Sequence, residues 1–104
     1  MTLVVSDSSP LNFLIRLGCV DVLPTLFRRV LIPTKVEEEL TRSATPPEVR
    51  DFLASRPPWL EVRAPARLER MPKLDPGEEA AISLAEEVRA DVVLLDDADA
   101  RKAA

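Results

Sequence analysis

The sequence predicts an α/β domain built on a mostly parallel central sheet, and three observations carry that expectation. The strand-like runs Leu3-Val4-Val5, Val30-Leu31-Ile32 and Val92-Val93-Leu94-Leu95 are apolar throughout instead of alternating, as strands covered on both faces are. Segments of helical period separate them. Acids stand directly after the first and last of these strands, Asp7 and Asp96-Asp97, where such sheets carry their ligand sites. With 104 residues the chain has room for one domain, residues 1–104, around one modest core.

Taken in order, Thr2 to Ser6 is the first strand. Asp7-Ser8-Ser9-Pro10 then opens a helix, since Asp and Ser are good N-caps and Pro suits the first turn. Leu11, Leu14, Ile15 and Leu17 give that helix its apolar face, and Gly18 ends it. Asp21 to Phe27 reads as a second, short helix with Leu23, Leu26 and Phe27 inward. Val30 to Ile32 is a strand, and Pro33 starts a helix over Thr34 to Thr41 carrying Val36 and Leu40. Ser43 to Pro47 is a turn-rich break. Pro47 to Ser55 is a helix through Val49, Phe52 and Leu53, and Trp59 to Val62 alternates as an edge strand does. Ala64 to Leu74 is a Pro- and Arg-rich connection. Asp75-Pro76-Gly77-Glu78 starts the clearest helix, running to about Val88 with Ala81, Ile82, Ala85 and Val88 inside. Val92 to Leu95 is the last strand, and Ala98 to Ala104 begins another helix.

Composition narrows the chemistry. The chain is 46% hydrophobic, which excludes a disordered segment. Cys19 is the single cysteine, so an internal disulfide or a multi-cysteine zinc site is excluded, and a reducing, cytoplasmic setting is expected. Cys19 itself reads as a small core residue. There is no His, which removes the commonest general base and zinc ligand. Met1 to Val5 has neither the basic flank of a signal peptide nor the length of a membrane span. The formal charge of −4 is unevenly spread: residues 42–73 are net basic and residues 74–104 strongly acidic. A basic middle beside an acidic end suits either a phosphate-binding flank next to a metal site or an ordinary mixed surface.

Each acid has an ordinary structural role beside a chemical one. Asp7 can cap the helix it precedes, with Ser8 and Ser9 as competitors. Glu37, Glu38 and Glu39 lie on a helix whose inner face is set by Val36 and Leu40. Glu38, about 200° from Val36, should face water, while Glu37 and Glu39 flank the apolar stripe. Asp75 and Glu78 form a capping-box pattern. Yet Glu78 also shares the inward face of Ala81 and Ile82, where a carboxylate needs a partner, while Glu79 points further outward. Asp96 and Asp97 point to opposite faces if the strand persists, so at most one joins a given cluster; Arg101 or Lys102 could answer their charge. Glu86 and Glu87 read as solvated surface. Together these acids sit at two strand ends and on two helices that could pack beside them. Carboxylate oxygens without His or Cys select Mg²⁺ or Mn²⁺, and such a cluster suits phosphodiester hydrolysis.

The ordered set Val4-Val5-Ser6-Asp7-Ser8-Ser9-Pro10-Leu11, Val30-Leu31-Ile32-Pro33, Val36-Glu37-Glu38-Glu39-Leu40, Gly77-Glu78-Glu79-Ala80-Ala81-Ile82-Ser83-Leu84-Ala85 and Ala90-Asp91-Val92-Val93-Leu94-Leu95-Asp96-Asp97 resembles a prokaryotic branch of the PIN-domain family related to VapC-type toxin ribonucleases. The resemblance implies a three-layer α/β/α sandwich whose acids bind Mg²⁺ or Mn²⁺ and cut single-stranded or structured RNA. By that likeness the catalytic and metal-binding set is Asp7, Glu39 (with Glu38 as fallback), Glu78 and Asp97 or Asp96, with Ser8 or Ser9 assisting at metal or phosphate. It implies an RNA substrate, an antitoxin partner and a homodimer. Members usually continue past this Asp pair, so the likeness also implies a sheet short of its last strand and helix. A catalytically inactive, truncated module that binds an antitoxin or self-associates is the alternative reading.

Overall fold

The computed structural model describes residues 2–42, 44–68 and 74–95. The chain forms β1 (Leu3–Ser6), α1 (Ser8–Leu17), α2 (Val22–Leu26), β2 (Arg29–Ile32), α3 (Thr34–Leu40), α4 (Pro47–Ala54), β3 (Leu60–Val62), α5 (Pro76–Val88) and β4 (Val92–Leu94). These are the expected elements in the expected order. The helix anticipated over 98–104 lies outside the described residues.

All three strand pairings are parallel, in the order β3-β2-β1-β4. β3 is an edge strand, as its alternating sequence predicts. From β1 the chain adds β2 and then β3 on one side, and places β4 on the other. Strand order therefore reverses at β1, and the crevice beyond the carboxyl ends of β1 and β4 is the topological switch point of the sheet.

Alternation along the strands divides the core in two. Val4, Val30, Ile32 and Leu60 pack under α1 to α4, against Leu11, Ile15, Val36, Leu40, Val49 and Leu53. Val5 and Leu31 face the other way, against Ala81, Leu84 and Ala85 of α5. A parallel sheet with helices on both faces is a three-layer sandwich, and it explains why the strands are apolar throughout.

Several side chains differ from expectation. Cys19 is exposed rather than buried: Gly18 adopts the left-handed conformation (φ 73°) that closes α1, and the reversal carries Cys19 outward. Leu17 is exposed because it stands about 200° from Ile15 on the helix. Leu26 is exposed because α2 has only five residues, and Leu23 alone among them is buried. On α5, Ile82 is half-buried while Leu84 is fully buried. Glu79, expected to point outward, is only 8% exposed. The start of α5 is enclosed on every side, from Gly77 through Ala81, so its outer face is also covered.

Candidate metal centre

Asp7 is the first residue past β1. Its N–H donates to Leu94 O (2.9 Å), which extends the β1–β4 ladder by one bond and pins the residue at the switch point. Its Oδ1 accepts from the Ser8 N–H (2.8 Å), so Asp7 is also the N-cap of α1. The capping and clustering roles coincide in one carboxylate, which is 3% exposed.

Pro33 ends β2 and starts α3, which carries Glu39 back toward the same crevice. The Ser8 hydroxyl lies near the Glu39 carboxylate and favours its ionised form. Glu39 Oε1 is buried and has no hydrogen-bond partner among the described residues. Burial first, and then the nearby Asp75 carboxylate, raise the Glu39 pKa. Arg42, the Ser8 hydroxyl and Lys35 act against that rise.

The third contribution comes from α5. Asp75 Oδ1 accepts from the Glu78 N–H (2.8 Å) and Glu78 Oε1 accepts from the Asp75 N–H (3.3 Å), which is the capping box the sequence predicts. Glu78 is 1% exposed. Carboxylate oxygens of Asp7, Asp75 and Glu78 lie within 4.8 Å of one another. Between them runs the backbone of Gly77. A Cβ placed there would strike Glu39 Oε1 and stand 3.1 Å from Asp7 Oδ1. Asp7, Glu39, Asp75 and Glu78 thus meet around one glycine.

Of the residues expected at the site, Asp7, Glu39 and Glu78 come together, and Ser8 joins them through Glu39. Glu38 turns to solvent, with its Oε2 4.0 Å from Lys35 Nζ. Ser9 is exposed. Asp96 and Asp97 lie outside the described residues. Asp75 is the member that sequence reasoning missed, because the capping box accounted for it fully. Its signal was Gly77, a glycine in the first turn of a helix, where close approach by other groups is the physical reason to omit a side chain.

This arrangement fits a hard divalent cation. Three carboxylates at this spacing, with Glu39 beside them, repel one another unless a cation or donors intervene, and the buried Glu39 Oε1 has no hydrogen-bond partner among the described residues. The donor set is all oxygen, which suits Mg²⁺ or Mn²⁺. No helix among the described residues is long and apolar enough to cross a membrane.

Neither curated proteins nor solved structures give a match to the chain. A family profile described as PIN domain matches residues 3–104. PIN domains have a nuclease fold, generally use divalent metals and bind nucleic acid, and a cluster of acids is present in this chain. With that match spanning nearly all of its length, the chain belongs to the PIN-domain family.

Proposed function

We propose that this protein is an Mg²⁺- or Mn²⁺-dependent endoribonuclease, the toxin of a toxin–antitoxin pair. The observation that carries the reading is the meeting of Asp7, Glu39, Asp75 and Glu78 around Gly77, with a buried Glu39 oxygen that no described group partners. These four residues, with Asp97 or Asp96 from the end of the chain, hold the metal. When bound, a divalent ion supplies a water of lowered pKa and stabilises charge on the phosphate being displaced.

The protein's own part is positional. The β1–β4 ladder fixes Asp7, and the capping box fixes Asp75 and Glu78. Preset carboxylates need little reorganisation when charge develops. Water attacks phosphorus in line, the bond to the departing ribose oxygen breaks, and that oxygen leaves with a proton. Exposed apolar side chains on α1 and α2, among them Phe13, Leu17 and Leu26, support docking of an antitoxin or a second copy.

Calorimetry with Mn²⁺, together with cleavage of end-labelled RNA, tests the proposal. Wild type should bind Mn²⁺ and cut internally, and Asp7→Asn should do neither while remaining folded. RNA left intact by the wild-type protein at millimolar Mn²⁺ would overturn it.

A further inference from the structure

The sheet has an open edge at β3, and its backbone groups can be assigned one by one. Trp59 O accepts from the Val30 N–H (3.0 Å), and the Arg63 N–H donates to Ile32 O (3.0 Å). With Glu61 in register with Leu31, residues 59, 61 and 63 spend their backbone groups on β2. Residues 60 and 62 therefore turn theirs away from the sheet. Pro57 O takes the Leu60 N–H (3.1 Å). That leaves Leu60 C=O and both groups of Val62 without a backbone partner among the described residues. Such an edge is a template for another strand.

The side chains decide which strand fits. Leu60 is in the core under α1 to α4, and Val62 packs against it on the same face. Glu61 and Arg63 alternate to the other face. There Glu61 Oε1 meets the Arg29 guanidinium, and Glu61 Oε2 lies 2.7 Å from Arg63 Nη2, all three side chains being partly open to solvent. Charge on an edge usually repels other strands. Here the sign alternates, so the edge rejects strands at large and admits one whose charges run in the reverse order. An antiparallel copy of β3 is such a strand. With a twofold axis at Val62, residue 61 stands opposite residue 63 of the other copy, and 63 opposite 61. Val62 then forms the hydrogen-bonded pair at the axis. The opposed charges take the adjoining positions, where side chains approach more closely. Each Arg63 comes to lie between two carboxylates instead of one.

We propose that two copies of this chain associate through β3, edge to edge and antiparallel, joining their four-stranded sheets into one continuous sheet. The Val62 N–H and C=O bond to the same groups across the axis, and on each side Glu61 pairs with the partner's Arg63. Neither Asp7 nor the residues gathered around Gly77 lie on β3, so the association does not rest on the nuclease reading.

Sedimentation velocity tests this on wild type and on Glu61→Arg and Arg63→Glu, alone and mixed. Wild type should dimerise reversibly. Glu61→Arg sets Arg against Arg and Arg63→Glu sets Glu against Glu, so each alone should associate at least about tenfold more weakly. Surface ion pairs contribute little to stability, so both should melt near wild type. Their equimolar mixture should dimerise as wild type does, because every opposed pair is then Arg against Glu. Val62→Pro removes an outward N–H that the fold does not use, as an edge strand tolerates, and should be monomeric. Monomeric wild type, a dimer that survives these substitutions, or a mixture that stays monomeric overturns the proposal. A final arm measures the anisotropy of a fluorescein-labelled peptide of alternating Glu and Val. Monomeric wild type that binds this peptide would give the edge to an acidic partner strand and refute self-association.

Discussion

Glu39 Oε1 occupies the space that the Cβ of any other residue at position 77 would fill, so the identity of Gly77 and the position of Glu39 are one constraint. Gly77 lies in the first turn of α5 without a positive φ, so Ala suits its backbone. Gly77→Ala should hold or slightly raise stability, by up to about 1 kcal/mol. The displaced group is the flexible end of a side chain, so the fold can yield there. Mn²⁺ affinity should fall by at least tenfold, read by calorimetry beside a thermal melt. A variant that melts much lower would show that the close approach serves packing instead.

Asp7 both caps α1 and joins the acids, and the two roles separate chemically. Asn caps as well as Asp does, whereas Ala does not. Asp7→Asn and Asp7→Ala should abolish Mn²⁺ binding equally, but the Ala variant should be about 1 kcal/mol less stable than the Asn variant in urea. Equal stabilities would show that the bond from the Ser8 N–H contributes little.

Asp75 invites the same separation. Ser keeps an N-cap oxygen for the Glu78 N–H and removes the carboxylate. Asp75→Ser should therefore melt near wild type, and its Mn²⁺ affinity should drop about tenfold. Unchanged affinity would confine Asp75 to the capping box.

Glu39 links the cluster to pH. Its folded pKa is raised above the unfolded value, chiefly by burial and then by Asp75. The folded chain therefore keeps this proton to higher pH than the unfolded chain does. The associated stability is fully present below the unfolded pKa and is lost as pH rises through the folded one. Without metal, Glu39→Gln should remove that loss and be more stable than wild type at neutral pH, with the difference vanishing in acid. Urea titrations in EDTA across this range check the sign. In wild type, Mn²⁺ affinity should begin to weaken on acidification above the usual carboxylate range, as protons compete for Glu39.

Away from the site, α5 ends on Arg89 in the left-handed conformation (φ 54°), the one non-glycine residue with positive φ among those described. That conformation costs an L-residue about 1–2 kcal/mol, and glycine is the usual occupant. Arg89→Gly should raise the melting temperature by a few degrees, since about 1 kcal/mol shifts a domain of this size by roughly 4–8 °C. A lower melting temperature would mean that the Arg89 side chain contributes more than the backbone strain costs.

The layers were legible because their signals are local. Apolar runs such as Val30-Leu31-Ile32 mark buried parallel strands, and Gly18 and the Asp75–Glu78 box mark helix ends without reference to anything distant. The meeting of Asp7, Glu39 and Glu78 was legible at one remove, through their order along the chain and their places at strand and helix ends. What escaped was what depends on neighbours. A helical wheel turns Glu79 outward because it knows one helix, whereas the enclosed start of α5 is a property of the whole assembly. Asp75 escaped because a complete local role concealed a second one. Cys19 shows the reverse error: a small apolar residue beside a helix end looks internal until the direction of the chain reversal is known.

The central position of β1 sets a timetable for synthesis. Its Leu3 N–H waits for Asp91 Oδ2, 88 residues later, and the backbone of Asp7 waits for Leu94. A ribosome must deliver β4 before the first strand gains its second neighbour and before Asp7 is fixed among the other acids. Nascent polypeptide thus emerges with these carboxylates dispersed, and Asp7 takes its place among them only after β4 has been delivered.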